Sequence, residues 1–122
     1  MNSSNGLVRI FNKDQIVIVS LNCKKLLEEE HINSVRDSIL GAIGAAPVPK
    51  VLIDFDEVEF LSSAMLGALI KINAAVNEKK GKLALCNIED NIAQIFKITA
   101  LEKIFDIYDE PEEALTSLEN QS

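Results

Sequence analysis

Tryptophan is absent from these 122 residues, while histidine occurs once, cysteine twice and proline three times. Each scarcity removes a class of protein. Cys23 and Cys86 stand far apart with no C-x-x-C pair, and His31 is the sole histidine, so a zinc site lacks ligands and a disulfide framework lacks partners. Both cysteines are read as reduced thiols. Lys and Arg number 12 against 19 Asp and Glu, a formal net charge of -7, the wrong sign for a nucleic-acid surface. Acidic partners are disfavoured for the same reason. No apolar run approaches the roughly 18 residues that a membrane span needs, and the opening Met1-Asn2-Ser3-Ser4-Asn5-Gly6 is polar where a secretion signal is apolar. The expected compartment is the cytoplasm, with neither nucleic acid nor membrane as partner.

What remains is 48% hydrophobic, enough to give one domain of this length a real core. The expectation is a single domain over 1–122, with its core over about 7–118. Leu7-Val8-Arg9-Ile10-Phe11 and Gln15-Ile16-Val17-Ile18-Val19-Ser20-Leu21 are β-rich runs flanking the turn cluster Asn12-Lys13-Asp14, which predicts a hairpin. Between 24 and 43, Ile32, Val35, Ile39 and Ile43 recur on one helical face, ended by Gly44 and Pro47-Val48-Pro49. Lys50-Val51-Leu52-Ile53-Asp54-Phe55 reads as a central strand buried on both faces. Met65, Leu69, Ile72 and Val76 form a second helical stripe, closed by Gly81, and Lys82-Leu83-Ala84-Leu85-Cys86 is the next strand. Ile88, Ile92, Ile95 and Phe96 mark a third helix capped by Asn87, and Ile104-Phe105-Asp106-Ile107-Tyr108 a last strand. A final helix opens at Asp109, with Glu112 completing a capping box. The order ββαβαβαβα predicts an α/β fold, a mixed sheet of about five strands with about four helices. Its loops after parallel strands gather at one sheet edge, where such folds build their sites.

One of those loops leads into a distinctive run, Asp54-Phe55-Asp56-Glu57-Val58-Glu59-Phe60-Leu61-Ser62-Ser63-Ala64-Met65-Leu66-Gly67-Ala68-Leu69-Ile70. It resembles the signature of STAS domains, the family that includes the bacterial anti-sigma-factor antagonists. There, a strand ending in Asp-Phe leads to a helix whose first turn holds a kinase-regulated serine. In the register set by Phe60, Leu66 and Gly67, the family's Asp-Ser-Ser-Gly falls on Ser62-Ser63-Ala64-Met65, so the usual phosphoacceptor position is Ala64. The resemblance implies a STAS-like fold over roughly 7–118. It also implies a non-enzymatic, transcription-regulating partner switch that binds an anti-sigma factor with serine-kinase activity, opposed by a serine phosphatase. Ser63 and Ser62 become the candidate phosphoacceptors, and Asp56, Glu57, Ser62, Ser63, Ala64 and Met65 the candidate partner contacts. No catalytic residue, metal or cofactor is implied.

Elementary electrostatics supports such a switch, because a helix start presents unpaired N–H groups that favour an anion. A phosphate there adds about -1.5 to -2 charges beside Asp54, Asp56, Glu57 and Glu59, and repels a partner fitted to the unmodified loop. The plainer use of Ser62 or Ser63 is a helix cap contributing about 1 kcal/mol. Met65 likewise has two uses, a place in the core stripe or a soft contact for a partner. A third plain reading makes this an unregulated STAS scaffold, motivated by Ala64 and Met65. Glu28-Glu29-Glu30 suits a solvated helix start, and His31 beside it is read as an exposed helical histidine. Asp54 and Asp56 at a strand end suggest magnesium, and with it a small phosphoryl-transfer or ligand-binding α/β domain, as a remote alternative, but no Gly-rich phosphate loop accompanies them. Gly67 is read as a close-packing position inside its helix.

Overall fold

The computed structural model describes residues 3–4 and 6–120. In chain order it contains β1 (Ser3–Ser4), β2 (Val8–Lys13), β3 (Ile16–Leu21), β4 (Lys25–Leu26), α1 (Glu29–Ala45), β5 (Lys50–Asp54), β6 (Phe60–Leu61), α2 (Ser63–Glu78), β7 (Lys82–Cys86), α3 (Asp90–Ile98), a 3-10 turn (Leu101–Lys103), β8 (Asp106–Tyr108) and α4 (Pro111–Glu119). The main sheet runs β1-β2-β3-β5-β7-β8. Its first two pairings are antiparallel, and those of β3, β5, β7 and β8 are parallel. The α/β class and mixed sheet expected from the sequence are what forms, with the two-residue β1 added at one edge.

The hairpin closes through Asp14 and Gln15, both at positive φ (52 and 69), the backbone of a two-residue turn whose twist matches the strands it joins. Alternation along the strands then decides which side each residue faces. Val17, Val19, Val51, Ile53, Leu83 and Leu85 meet α1, α2 and α3 in the larger core cluster, whereas Ile16, Ile18, Leu52, Ala84 and Cys86 meet Ala114 and Leu118 of α4. Central β5 is therefore apolar on both faces, as a strand covered on both sides must be. The helical stripes also hold: Ile32, Val35, Ile39 and Ile43 of α1 and Met65, Leu69, Ile72 and Val76 of α2 are all buried.

Several local expectations are corrected. Helix α1 starts at Glu29, because the segment before it pairs as β4. Asn87 does not cap α3; Glu89 occupies that position, and Asn87 takes the left-handed conformation at φ 56. At α4 the start shifts by one residue, with Glu110 at the N-cap, Pro111 after it, and the Glu113 carboxylate accepting from the Glu110 N–H at 3.3 Å. The last strand begins at Asp106, since Ile104 ends the 3-10 turn. Lys80, not Gly81, is the left-handed residue after α2. Gly81 is required for a different reason: a Cβ there would run into the Pro49 carbonyl oxygen. No helix among the described residues is long and apolar enough to cross a membrane.

Candidate functional site

Parallel pairing puts the carboxyl ends of β5 and β7 side by side, so the loops after Asp54 and Cys86 are neighbours. Within the first loop, Phe55, Val58 and Leu61 point into the core, leaving Asp56, Glu57 and Phe60 exposed and Glu59 half-buried. The end of this loop is itself a strand. β6 pairs in parallel with β4, Lys25 opposite Phe60 and Leu26 opposite Leu61. The Lys24 carbonyl accepts the N–H groups of Glu59 (2.9 Å) and Phe60 (3.0 Å), and the Leu26 carbonyl accepts that of Ser62 (3.0 Å). Lys24 also pairs with Glu59 at 3.5 Å, and Lys25 lies 5.9 Å from the centre of the Phe60 ring, within the range of a cation–π contact.

Helix α2 begins directly after this pairing. Ser62 is the N-cap by backbone geometry, and its carbonyl accepts the N–H groups of Met65 (3.0 Å) and Leu66 (3.3 Å). Its hydroxyl does not cap: Oγ is shielded from solvent and has no hydrogen-bond partner. Ser63 and Ala64 are exposed at the first two helical positions, whereas Met65 is fully buried at 0% exposure. The structure thus leaves Asp56, Glu57, Ser63 and Ala64 exposed, shields the Ser62 hydroxyl, and withdraws Met65 into the core. Gly67 is exposed with nothing within 4 Å of a Cβ position, so close packing is not its reason. It leaves a groove of about 590 Å³ between α1 and α2, lined by Leu27, Arg36, Ser63, Ala64 and Lys71 among others.

Asp54 lies at the end of β5 and is consumed by the fold. Its Oδ1 accepts the Asp56 N–H at 2.9 Å and the Asn87 side-chain amide at 3.0 Å. Among the described residues no group of three or more His, Cys, Asp or Glu is placed to hold a metal ion. Cys86 sits beside this carboxylate, its thiol pushed up to about 12 by burial first and then by the negative charges of Asp54, Glu112 and Asp56. It is a protonated core residue at neutral pH. Glu29 and Glu30 occupy the first turn of α1, where acids are favoured, and His31 pairs with Glu28 at 3.5 Å. Asn91 carries no signal in the sequence; its amide donates to the Glu59 carbonyl at 2.9 Å, a long-range tie that spacing does not reveal.

The site is an exposed helix start that follows an acidic loop, on the mixed sheet of a small α/β module with helices on both faces. The chain belongs to the STAS domain family, whose model matches residues 10–114. It is 27% identical over 104 residues to the anti-sigma F factor antagonist of Paenibacillus polymyxa, covering 85% of this chain and 87% of that protein. Two solved structures share the fold. An anti-sigma-factor antagonist (STAS) domain protein from Planctomyces limnophilus superposes with a TM-score of 0.86 at 24% identity, covering 93% of this chain and 98% of that one. The Bacillus cell fate determinant SpoIIAA in its phosphorylated form gives 0.69 at 18% identity, covering 90% and 97%.

Proposed function

We propose that this chain is an anti-sigma-factor antagonist: a non-enzymatic cytoplasmic module that binds an anti-sigma factor with serine-kinase activity and so frees a sigma factor for transcription. The observation that carries this reading is the family match together with the exposed Ser63-Ala64 helix start, which follows exposed Asp56 and Glu57 along the chain. The contact surface is residues 56–64, without the buried Met65 side chain. Relatives named as anti-sigma factor antagonists support the partner class. The Ser62 hydroxyl is shielded while Ser63 is exposed, so Ser63 is the acceptor in this reading. A serine phosphatase would reset it. Phosphate on Ser63 places about -1.5 to -2 charges beside the acidic loop and repels the partner.

The test is Ser63→Asp, measured for affinity to the anti-sigma factor and for folding. A carboxylate at a helix start is tolerated or mildly stabilising, by about 0.3–1 kcal/mol, so the fold stays and the affinity falls. Equal affinity for variant and wild type would move the interface elsewhere. Ala64 favours a second reading, an unregulated STAS module that binds constitutively or as a scaffold. Phosphopeptide mapping under kinase-active conditions separates the two: modified Ser63 establishes the switch, and unmodified Ser62 and Ser63 leave binding without regulation.

A further inference from the structure

We infer that the β7–α3 junction and the first turn of α3 position the docking loop, acting through the side-chain amides of Asn87 and Asn91, an inference that rests on reading residues 56–64 as the contact surface. The loop is met from the β7–α3 junction at three successive points. The Cys86 carbonyl accepts the Phe55 N–H at 3.0 Å, the Asn87 amide holds Asp54 Oδ1 at 3.0 Å, and the Asn91 amide holds the Glu59 carbonyl at 2.9 Å. The Glu59 peptide is consequently gripped from both sides, its N–H by the Lys24 carbonyl and its C=O by Asn91. The Asp56 N–H depends on the same arrangement, because its acceptor is the Asp54 oxygen that Asn87 fixes.

Neither asparagine is required by its local backbone. Asn91 is exposed within the first turn of α3, where alanine is the better helix former. Asn87 holds φ 56, a conformation that asparagine tolerates and glycine adopts freely. Their amides instead order backbone that carries the proposed contacts Asp56 and Glu57. A loop ordered before binding has less conformational freedom to lose on binding, so these residues raise affinity without touching the partner.

The experiment is amide hydrogen exchange on the full chain, comparing wild type with Asn91→Ala, Asn91→Gln and Asn87→Gly, alongside chemical denaturation of each. Asn91→Ala is expected to speed exchange at Glu59 and Phe60 by roughly two- to tenfold, the range set by one net hydrogen bond, with an unfolding midpoint equal to or slightly below wild type, because the better helix propensity of alanine offsets part of the lost bond. Asn91→Gln, which retains an amide donor, should recover part of the protection. Asn87→Gly, which keeps the backbone free to adopt positive φ, should speed exchange at Asp56. Unchanged exchange at these amides, or equal acceleration throughout the sheet, would overturn the inference. Affinity for the anti-sigma factor should fall for Asn91→Ala; equal affinity despite faster exchange would overturn the role in docking. If the wild type does not bind while the exchange effects appear, the positioning stands and the proposed function fails.

Discussion

Replacing Ser62 with alanine distinguishes a helix cap by position from a helix cap by chemistry. Serine at an N-cap ordinarily contributes about 1 kcal/mol, because its oxygen accepts a first-turn N–H. At Ser62 that bond is missing: the hydroxyl makes no cap hydrogen bond and is hidden from water without a partner. A buried, unsatisfied hydroxyl carries a penalty of about 1–3 kcal/mol, part of which Ser62→Ala removes. Opposing this is the dispersion attraction of the one oxygen atom removed, at about 0.1–0.2 kcal/mol per atom pair. The expected result is a change between zero and about 1.5 kcal/mol in favour of the variant. Unfolding entropy of about 2.1 cal/mol/K per residue over 122 residues is about 0.26 kcal/mol/K, so 1 kcal/mol moves Tm by about 4 °C. Scanning calorimetry should therefore find Ser62→Ala unchanged or raised by up to about 6 °C. A fall of about 4 °C or more, the signature of a lost cap, would refute the reasoning.

Two further outcomes follow from the packing. The Lys79 ammonium donates to the carbonyls of Ile43 and Gly44, each at 3.0 Å, and of Ala46, gathering the carboxyl end of α1. Lys79→Met keeps most of the alkyl stem and loses these bonds, with an expected cost of about 1–3 kcal/mol by urea denaturation; wild-type stability would show the carbonyls equally well served by water. Cys86 should resist a thiol reagent at pH 8 in the native protein and react once denaturant is added, whereas rapid native labelling would contradict its burial. Because its thiol is raised from 9.0 to about 12, the folded state holds a proton that the unfolded state releases first. The contribution to stability is present below about pH 9 and lost as the pH rises toward 12. Cys86→Ala should flatten that alkaline decline.

Much of this molecule was legible in its sequence because apolar periodicity reports burial directly. The stripes of α1 and α2 and the doubly apolar β5 were readable for that reason. The helix starts were less legible. Glu89 and Glu110 are capping positions chosen by where the preceding strand lets go, a long-range matter that displaced Asn87 and Asp109 from the roles their residue types suggest. β4 and β6 were invisible, since two-residue strands have no measurable period and exist only because each finds the other.

The sequence by itself determined the α/β class, the alternation of strands and helices, and the acidic loop running into a serine-bearing helix start, all of which are local in the chain. Only the tertiary structure decided which of those residues are exposed and which are buried. It turned Met65 inward, shut the Ser62 hydroxyl away from water, left Ser63 outside, and recruited Asn87 and Asn91 to hold a loop about 30 residues upstream. Side-chain hydrogen bonds between distant segments depend on where sheet register and helix packing place both ends, and residue type alone does not encode that placement.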